Sequence, residues 1–115
     1  MGWMMSTTNP RRYDILYADL SPTRGSEISK RRPVVVVSQD SMNQNLETVV
    51  ICPLTTRLHA TWRSRIQIRC AGKDAEIAID QIRTISKNRL TDYLDQLSDS
   101  DSAQLRRLIT EMYGS

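Results

Sequence analysis

The chain has 115 residues, enough for one core and too few for two, since domains that fold alone run to about 100–150 residues. Apolar residues at 39% and charged residues at 25% give a globular balance, without the acidic or Gln/Asn-rich tracts of a disordered chain. The net charge of +3 is unevenly spread, with ten Lys/Arg against five Asp/Glu up to residue 70 and six against eight beyond it, so the first part is either a polyanion surface or a merely solvated face.

No apolar run reaches the roughly 18 residues of a spanning helix, and the first ten residues lack the basic start and apolar centre of a secretory leader. The expectation is a cytosolic (cytoplasmic) protein with no membrane contact. Cys52 and Cys70 lie in strand-like segments without CxxC or His-rich spacing, so they are expected as small buried hydrophobes. No metal site and no cofactor is expected.

Residues 1–10 are polar and aperiodic and read as a flexible arm, followed by a single domain over 11–115. Tyr13 to Leu20 is aromatic and aliphatic and ends at Ser21-Pro22, which predicts a strand running into a loop with Gly25 as its hinge. Pro33 to Ser38 predicts a second strand whose unbroken valines are buried on both faces, with Arg32 just outside it. One helical turn is expected over Gln39 to Asn45, begun by Ser38 or Asp40.

A third strand is predicted over Thr48 to Leu54, with Pro53 marking its end or an edge. Thr55 to Thr61 reads as a polar loop. Ile66, Ile68 and Cys70 then alternate with Arg65, Gln67 and Arg69, which predicts a half-buried strand with a basic face toward water or a ligand. After a turn at Ala71 to Asp74, Glu76 to Ile85 reads as the last long strand, and the slip in its pattern near Asp80 predicts a bulge. Ser98 and Asp101 have the spacing of a helix start, with Leu105, Leu108, Ile109 and Met112 on one face and Gly114 past the end. About five short strands and one amphipathic helix predict a mainly β fold, a small curled antiparallel barrel with the helix packed against it.

His59 stands in a polar loop far from any usual nucleophile or metal partner, so a Ser/His/Asp or zinc mechanism has little support. Gly25 is isolated, and no phosphate-cradling glycine loop is present. What stands out is a polar set at predicted strand ends: Arg24, Glu27, Arg31, Arg32, Thr55, Thr56 and Asp80. Guanidinium forks match phosphate oxygens and a hydroxyl can donate to a third, which suits such a set to a phosphodiester. The alternative for Arg31 and Arg32 is that they are solvated gatekeepers beside an aggregation-prone valine strand.

Five ordered stretches resemble the MazF/PemK-type toxins of bacterial toxin–antitoxin systems: Tyr13-Asp14-Ile15 through Asp19-Leu20, Gly25-Ser26-Glu27, Arg32-Pro33-Val34-Val35-Val36, Cys52-Pro53-Leu54-Thr55, and Asp80-Gln81-Ile82-Arg83-Thr84. The resemblance spans about residues 11 to 113. It implies an SH3-like barrel that forms a homodimer, a groove across the dimer interface, and sequence-specific endoribonuclease activity on single-stranded RNA. It implies that Arg32 and Thr55 are catalytic, that Glu27 and Asp80 assist catalysis or RNA contact, and that Gln81 and Arg83 belong to the RNA-binding motif. A cognate antitoxin with an acidic, apolar tail is the implied inhibitor. One departure is that some relatives carry an arginine two residues before the acid, where this chain has Ala78.

Without a metal, the simplest RNA cleavage is in-line attack of the 2′-hydroxyl, which leaves a 2′,3′-cyclic phosphate and a 5′-hydroxyl. Arg32 suits charge stabilisation, Thr55 orientation of the phosphate, and Glu27 or Asp80 the base. Lys30 and Arg31 read as the electrostatic approach. Arg24, Arg57, His59 and Trp62 are candidates for contacting bases, with Trp62 as core filler the alternative. A second function class is a non-enzymatic CcdB-like toxin that binds a protein target such as gyrase.

Overall fold

The computed structural model describes residues 9–21, 25 and 30–114. Most of the expected N-terminal arm lies outside these, as do Arg24 and Glu27. The described residues form β1 (Asp14–Asp19), β2 (Arg31–Val36), α1 (Asp40–Asn45), β3 (Thr48–Thr55), β4 (Arg65–Cys70), β5 (Lys73–Ala78), a 3₁₀ turn (Ile79–Gln81), β6 (Arg83–Ser86), a second 3₁₀ turn (Lys87–Arg89), β7 (Leu90–Gln96) and α2 (Asp99–Tyr113). The strands make one antiparallel sheet in the order β4-β5-β3-β2-β1-β7, with β6 paired to β3 off that path. The fold is mainly β with a C-terminal helix, as expected.

β3 organises the sheet, because its two edges are used differently. One edge pairs with β2, Val34 opposite Pro53 and Val36 opposite Ile51. The other pairs first with β6, over Thr48–Ile51, and then with β5 at Leu54 and Thr55. Cys52 and Pro53 fall at the change of partner. That corrects the expectation that Pro53 ends a strand or marks an edge: its missing N–H sits where this side of β3 has no neighbour to receive it.

The four valines are buried on both faces, as their unbroken run predicts. Val35 and Val37 join Cys52, Leu54, Ile66 and Leu105 in one cluster, which includes α2, while Val34 and Val36 join Leu16, Ala18, Ile51 and Ile85 in another. Both cysteines are free and buried, and burial pushes the Cys52 thiol up to about 12, leaving it a packing residue. β2 starts at Arg31, two residues earlier than expected, so Arg32 lies inside the strand. The pairs Ala18–Arg32 and Asp19–Arg31 with β1 carry it that far.

Three further differences have local causes. Neither Ser38 nor Asp40 caps α1; Gln39 holds that position, because the Ser38 hydroxyl donates to Asn43 and accepts the Val50 N–H. The slip near Asp80 is a 3₁₀ turn rather than a bulge, and it divides the expected long strand into β5 and β6, which pair with different parts of β3. β7 was not expected. Its sequence, Leu-Thr-Asp-Tyr-Leu-Asp-Gln, has no alternation because among the described residues it lies at the sheet edge and pairs with β1 alone, through a shifting register.

α2 begins as its sequence predicts, with the Ser98 hydroxyl accepting the Asp101 N–H. Leu105 is fully buried against the first cluster, whereas Met112 is 37% exposed. Leu105→Ala should therefore lower unfolding free energy by about 2–5 kcal/mol in urea titrations. Met112→Ala should change it by only about 0.5 kcal/mol.

Candidate functional site

The register of the sheet sets one row of polar side chains. In antiparallel strands, residues directly opposite one another project to the same face. Arg32 pairs with Ala18 across β1, and Thr55 pairs with Glu76 across β5, which in turn pairs with Gln67 across β4. The β2–β3 pairing ends at Val34 opposite Pro53. Carried two residues further, the same register sets Arg32 opposite Thr55, so Arg32, Thr55, Glu76 and Gln67 form a row across four strands.

Pro33 explains why the ladder stops there. Val37 donates its N–H to the Val50 carbonyl at 2.9 Å, and along a strand such bonds alternate between the two neighbours. The Pro33 nitrogen therefore faces β3 and has no proton to give. Carried past that point, the register sets Arg32 opposite Thr55 where β2 and β3 are no longer bonded to each other, though each is still held by its other neighbour, so the two side chains can converge on a ligand.

Thr55 is 9% exposed, and its hydroxyl oxygen accepts the Arg57 N–H at 3.1 Å. The proton on that hydroxyl stays available to an acceptor such as a phosphate oxygen. Residues 56–64 then leave the sheet and return over Glu76, which is fully buried. Glu76 accepts from Gln67 Nε2 and from Arg65 Nη1, each at 2.6 Å, and from the His59 main-chain N–H, while the His59 Nδ1 lies 3.3 Å from its second oxygen. Arg65 reaches on to Asp80 through Nε at 2.7 Å and Nη2 at 3.3 Å. The His59 and Trp62 rings stack with centroids 3.9 Å apart, and the Arg65 guanidinium lies 4.6 Å from the Trp62 ring centre.

Burial pulls the Glu76 carboxyl upward, but bonds from Gln67, the His59 amide, Arg65 and the His59 ring outweigh it and hold Glu76 below its ordinary 4.5. Asp80 behaves likewise: burial raises it, and bonds headed by the one from Arg65 bring it below 3.8. Asp80, then Glu76, raise the pKa of Arg65, so its cation is permanent.

The structure thus links Thr55, Arg57, His59, Trp62 and Asp80 through Glu76 and Arg65, with Arg32 opposite Thr55. The expected basic outer face of β4 is in part roofed, since the Arg65 side chain is only 5% exposed under the 56–64 loop. Trp62 is not core filler; it is 47% exposed. Thr56 and Arg57 are exposed in the same loop. Arg31 points to the face opposite Arg32, where it pairs with Asp92 at 2.7 Å and lies 4.1 Å from the Tyr17 ring centre. Lys30, exposed and with φ of 68°, precedes it. Gln81 ends the 3₁₀ turn. Arg83 opens β6 opposite Ile51, four residues or about 13 Å along β3 from Thr55, and its Nη1 is buried without a hydrogen-bond partner among the described residues.

Sequence reading missed Glu76, Arg65 and Gln67 as site residues. The sequence marked a turn over residues 71–74 but not its type, on which the pairing depends. Ala71 and Gly72 both have positive φ, at 52° and 80°, which is the two-residue turn that pairs Cys70 with Lys73 and so Gln67 with Glu76. Among the described residues, no three His, Cys, Asp or Glu side chains converge as a metal site would need.

Comparison with known proteins places these features in a family. Residues 11–113 match the family model of the PemK-like, MazF-like toxins of type II toxin–antitoxin systems. The chain is 38% identical over 104 residues to the endoribonuclease MazF of Staphylococcus saprophyticus, covering 86% of this chain and 87% of that protein. The crystal structure of MazF from Deinococcus radiodurans superposes with a TM-score of 0.83 at 20% identity, over 94% of this chain and 99% of that one. A mycobacterial endoribonuclease solved with its cognate antitoxin superposes at 0.77 and 21% identity, over 91% and 95%. At these identities the two structures establish the shared fold.

The two lowered carboxyls set the sign of an acid transition. Each contributes fully above its ordinary value, 4.5 for Glu76 and 3.8 for Asp80, and that contribution is lost as pH falls through the lower folded value. Asp14, raised chiefly by burial, acts in the opposite sense, so the comparison must be made between variants. Urea titrations from about pH 6 down to pH 2 should show falling stability, with a flatter decline in Glu76→Gln than in the wild type.

Proposed function

Because the chain belongs to the PemK-like, MazF-like toxins of type II toxin–antitoxin systems, we propose that it is the toxin of such a pair, a metal-independent endoribonuclease. It cuts single-stranded RNA at specific sequences and leaves 2′,3′-cyclic phosphate and 5′-hydroxyl ends. The staphylococcal relative at 38% identity is an endoribonuclease. What supports the assignment to particular residues is the observed β2–β3 register, which, carried two residues past the Val34–Pro53 pair, sets Arg32 opposite Thr55.

In this reading the 2′-oxygen attacks its own phosphate in line with the departing 5′-oxygen. The Arg32 guanidinium stabilises the charge that builds on the phosphorane, and the Thr55 hydroxyl donates to a non-bridging oxygen. An arginine stays protonated, so Arg32 hydrogen-bonds the leaving oxygen rather than delivering a proton to it, and the 5′-oxygen takes its proton from solvent water. Of the two candidate bases, Asp80 is tied by two bonds to Arg65 and held below the ordinary carboxylate range, which makes it a weak proton acceptor. We therefore assign proton abstraction to Glu27 and give Asp80 the task of fixing Arg65. Lys30 adds positive potential at the approach, Arg24 contacts a base, and Gln81 and Arg83 contact the RNA on the side of β6; Arg31, turned to the opposite face and paired with Asp92, has no part in that approach.

The active form is a homodimer acting in the cytosol, and its inhibitor is a cognate antitoxin. The mycobacterial relative of the same fold was solved with such an antitoxin. An acidic, apolar tail would compete with RNA for Arg32 at the end of the row.

The test is cleavage of a mixed single-stranded RNA pool in EDTA, with the product ends mapped. Arg32→Ala should slow cutting by about 100-fold to 1000-fold, the range for loss of one transition-state donor, without changing the urea midpoint. Glu27→Gln should cost more activity than Asp80→Asn. If the wild type leaves the pool intact and instead inhibits a protein target, the enzymatic reading is wrong.

A further inference from the structure

Glu76 is a charged side chain with no solvent exposure, and nothing in the cleavage chemistry uses it. A buried carboxylate persists only when its acceptors are filled, and here the donors come from two places. Arg65 and Gln67 belong to the adjacent strand β4, while the His59 N–H and ring belong to the loop over residues 56–64. The charge is thus a clasp between sheet and loop. At the other end of this loop segment the Arg57 N–H is tied to Thr55. A chain of four residues from Thr55 to His59 spans at most about 14 Å, so the clasp keeps the His59 ring close to the cleavage row.

What the clasp holds is a flat surface. The His59 and Trp62 rings stack within 28° of parallel, the Trp62 main-chain N–H donates to the His59 carbonyl at 2.9 Å, and the Arg65 guanidinium braces the indole. Despite these contacts Trp62 remains 47% exposed. A rigid aromatic surface, open to solvent and beside a phosphate-binding row, fits a nucleobase of single-stranded nucleic acid.

We propose that Glu76, acting through Arg65 and His59, is a positioning residue for base recognition, which sets the His59–Trp62 surface against a base adjoining the cut and so helps to determine the cleavage sequence. This rests on the endoribonuclease reading. Glu76 touches neither phosphate nor base in this account; its effect is carried by where the loop stands.

The experiment profiles cleavage of a randomised RNA pool by the full-length wild type, Glu76→Gln, Trp62→Ala and Trp62→Phe, with kcat and KM measured on the preferred site. Glu76→Gln and Trp62→Ala should both broaden preference at the same single position beside the cut, and each should raise KM by about tenfold or more while lowering kcat less. Trp62→Phe should recover most of the preference, since a flat ring returns. If Glu76→Gln keeps the wild-type sequence profile, or loses rate equally on all sequences with KM unchanged, the inference is overturned. Should Glu76→Gln fail to fold, Trp62→Ala decides, because its half-exposed ring leaves no buried charge behind; an unchanged profile there overturns the inference. A wild type that cuts no RNA would overturn the endoribonuclease reading and this inference with it, whereas the variant results overturn the inference alone.

Discussion

The central strand β3 has three neighbours for two edges, and the rest of the molecule follows from how it is shared. Pairing with β2 along one side and with β6 and then β5 along the other requires a break in the second ladder. Pro53 sits at that break, where a residue without an N–H loses nothing. Beyond it β3 continues for two residues, and these bring Thr55 between β2 and β5. The row from Arg32 to Gln67 exists because β3 leaves β6 and takes up β5 before it ends.

The same row carries the electrostatics. Two carboxylates, Glu76 and Asp80, share one guanidinium from Arg65, and the remaining acceptor capacity of Glu76 is met by Gln67 and the His59 amide. The cost of burying a carboxylate is offset by charge-assisted bonds rather than by solvent. Such an arrangement is stiff, since no member can swing away without stranding another in a poorly hydrated place. Stiffness on this side of the row contrasts with the Arg31 pair with Asp92, which is largely solvated and contributes little.

How much was legible in the sequence differs by cause. Burial of all four valines, the alternation of β4, and the Ser98 start of α2 follow from local pattern, and each was readable. β7 was not, because an edge strand with exposed Thr91, Asp92 and Tyr93 carries no alternation to read. The 3₁₀ turn at Ile79–Gln81 mimicked a bulge, since both interrupt a period of two. Arg32 and Thr55 stood out by motif and resemblance, but their facing each other depends on register between strands separated by a helix. Glu76 was overlooked because it lies in a run of strand-forming residues, and its role appears only once Gln67 and the 56–64 loop are set against it.

The two-sided burial of β2 has a consequence for how its chemistry is kept in place. An alternating strand resists slippage, because a shift of one residue would turn its apolar side to water. Val34 to Val37 offer no such penalty: after a one-residue shift, a valine would still meet each cluster. Yet the same shift would bring Arg31 into the row in place of Arg32. Discrimination between the two falls to Pro33, whose nitrogen would then face the β1 ladder without a proton. The apolar core holds the strand firmly but is nearly blind to its position, so a proline acts as the gauge that decides which arginine is presented.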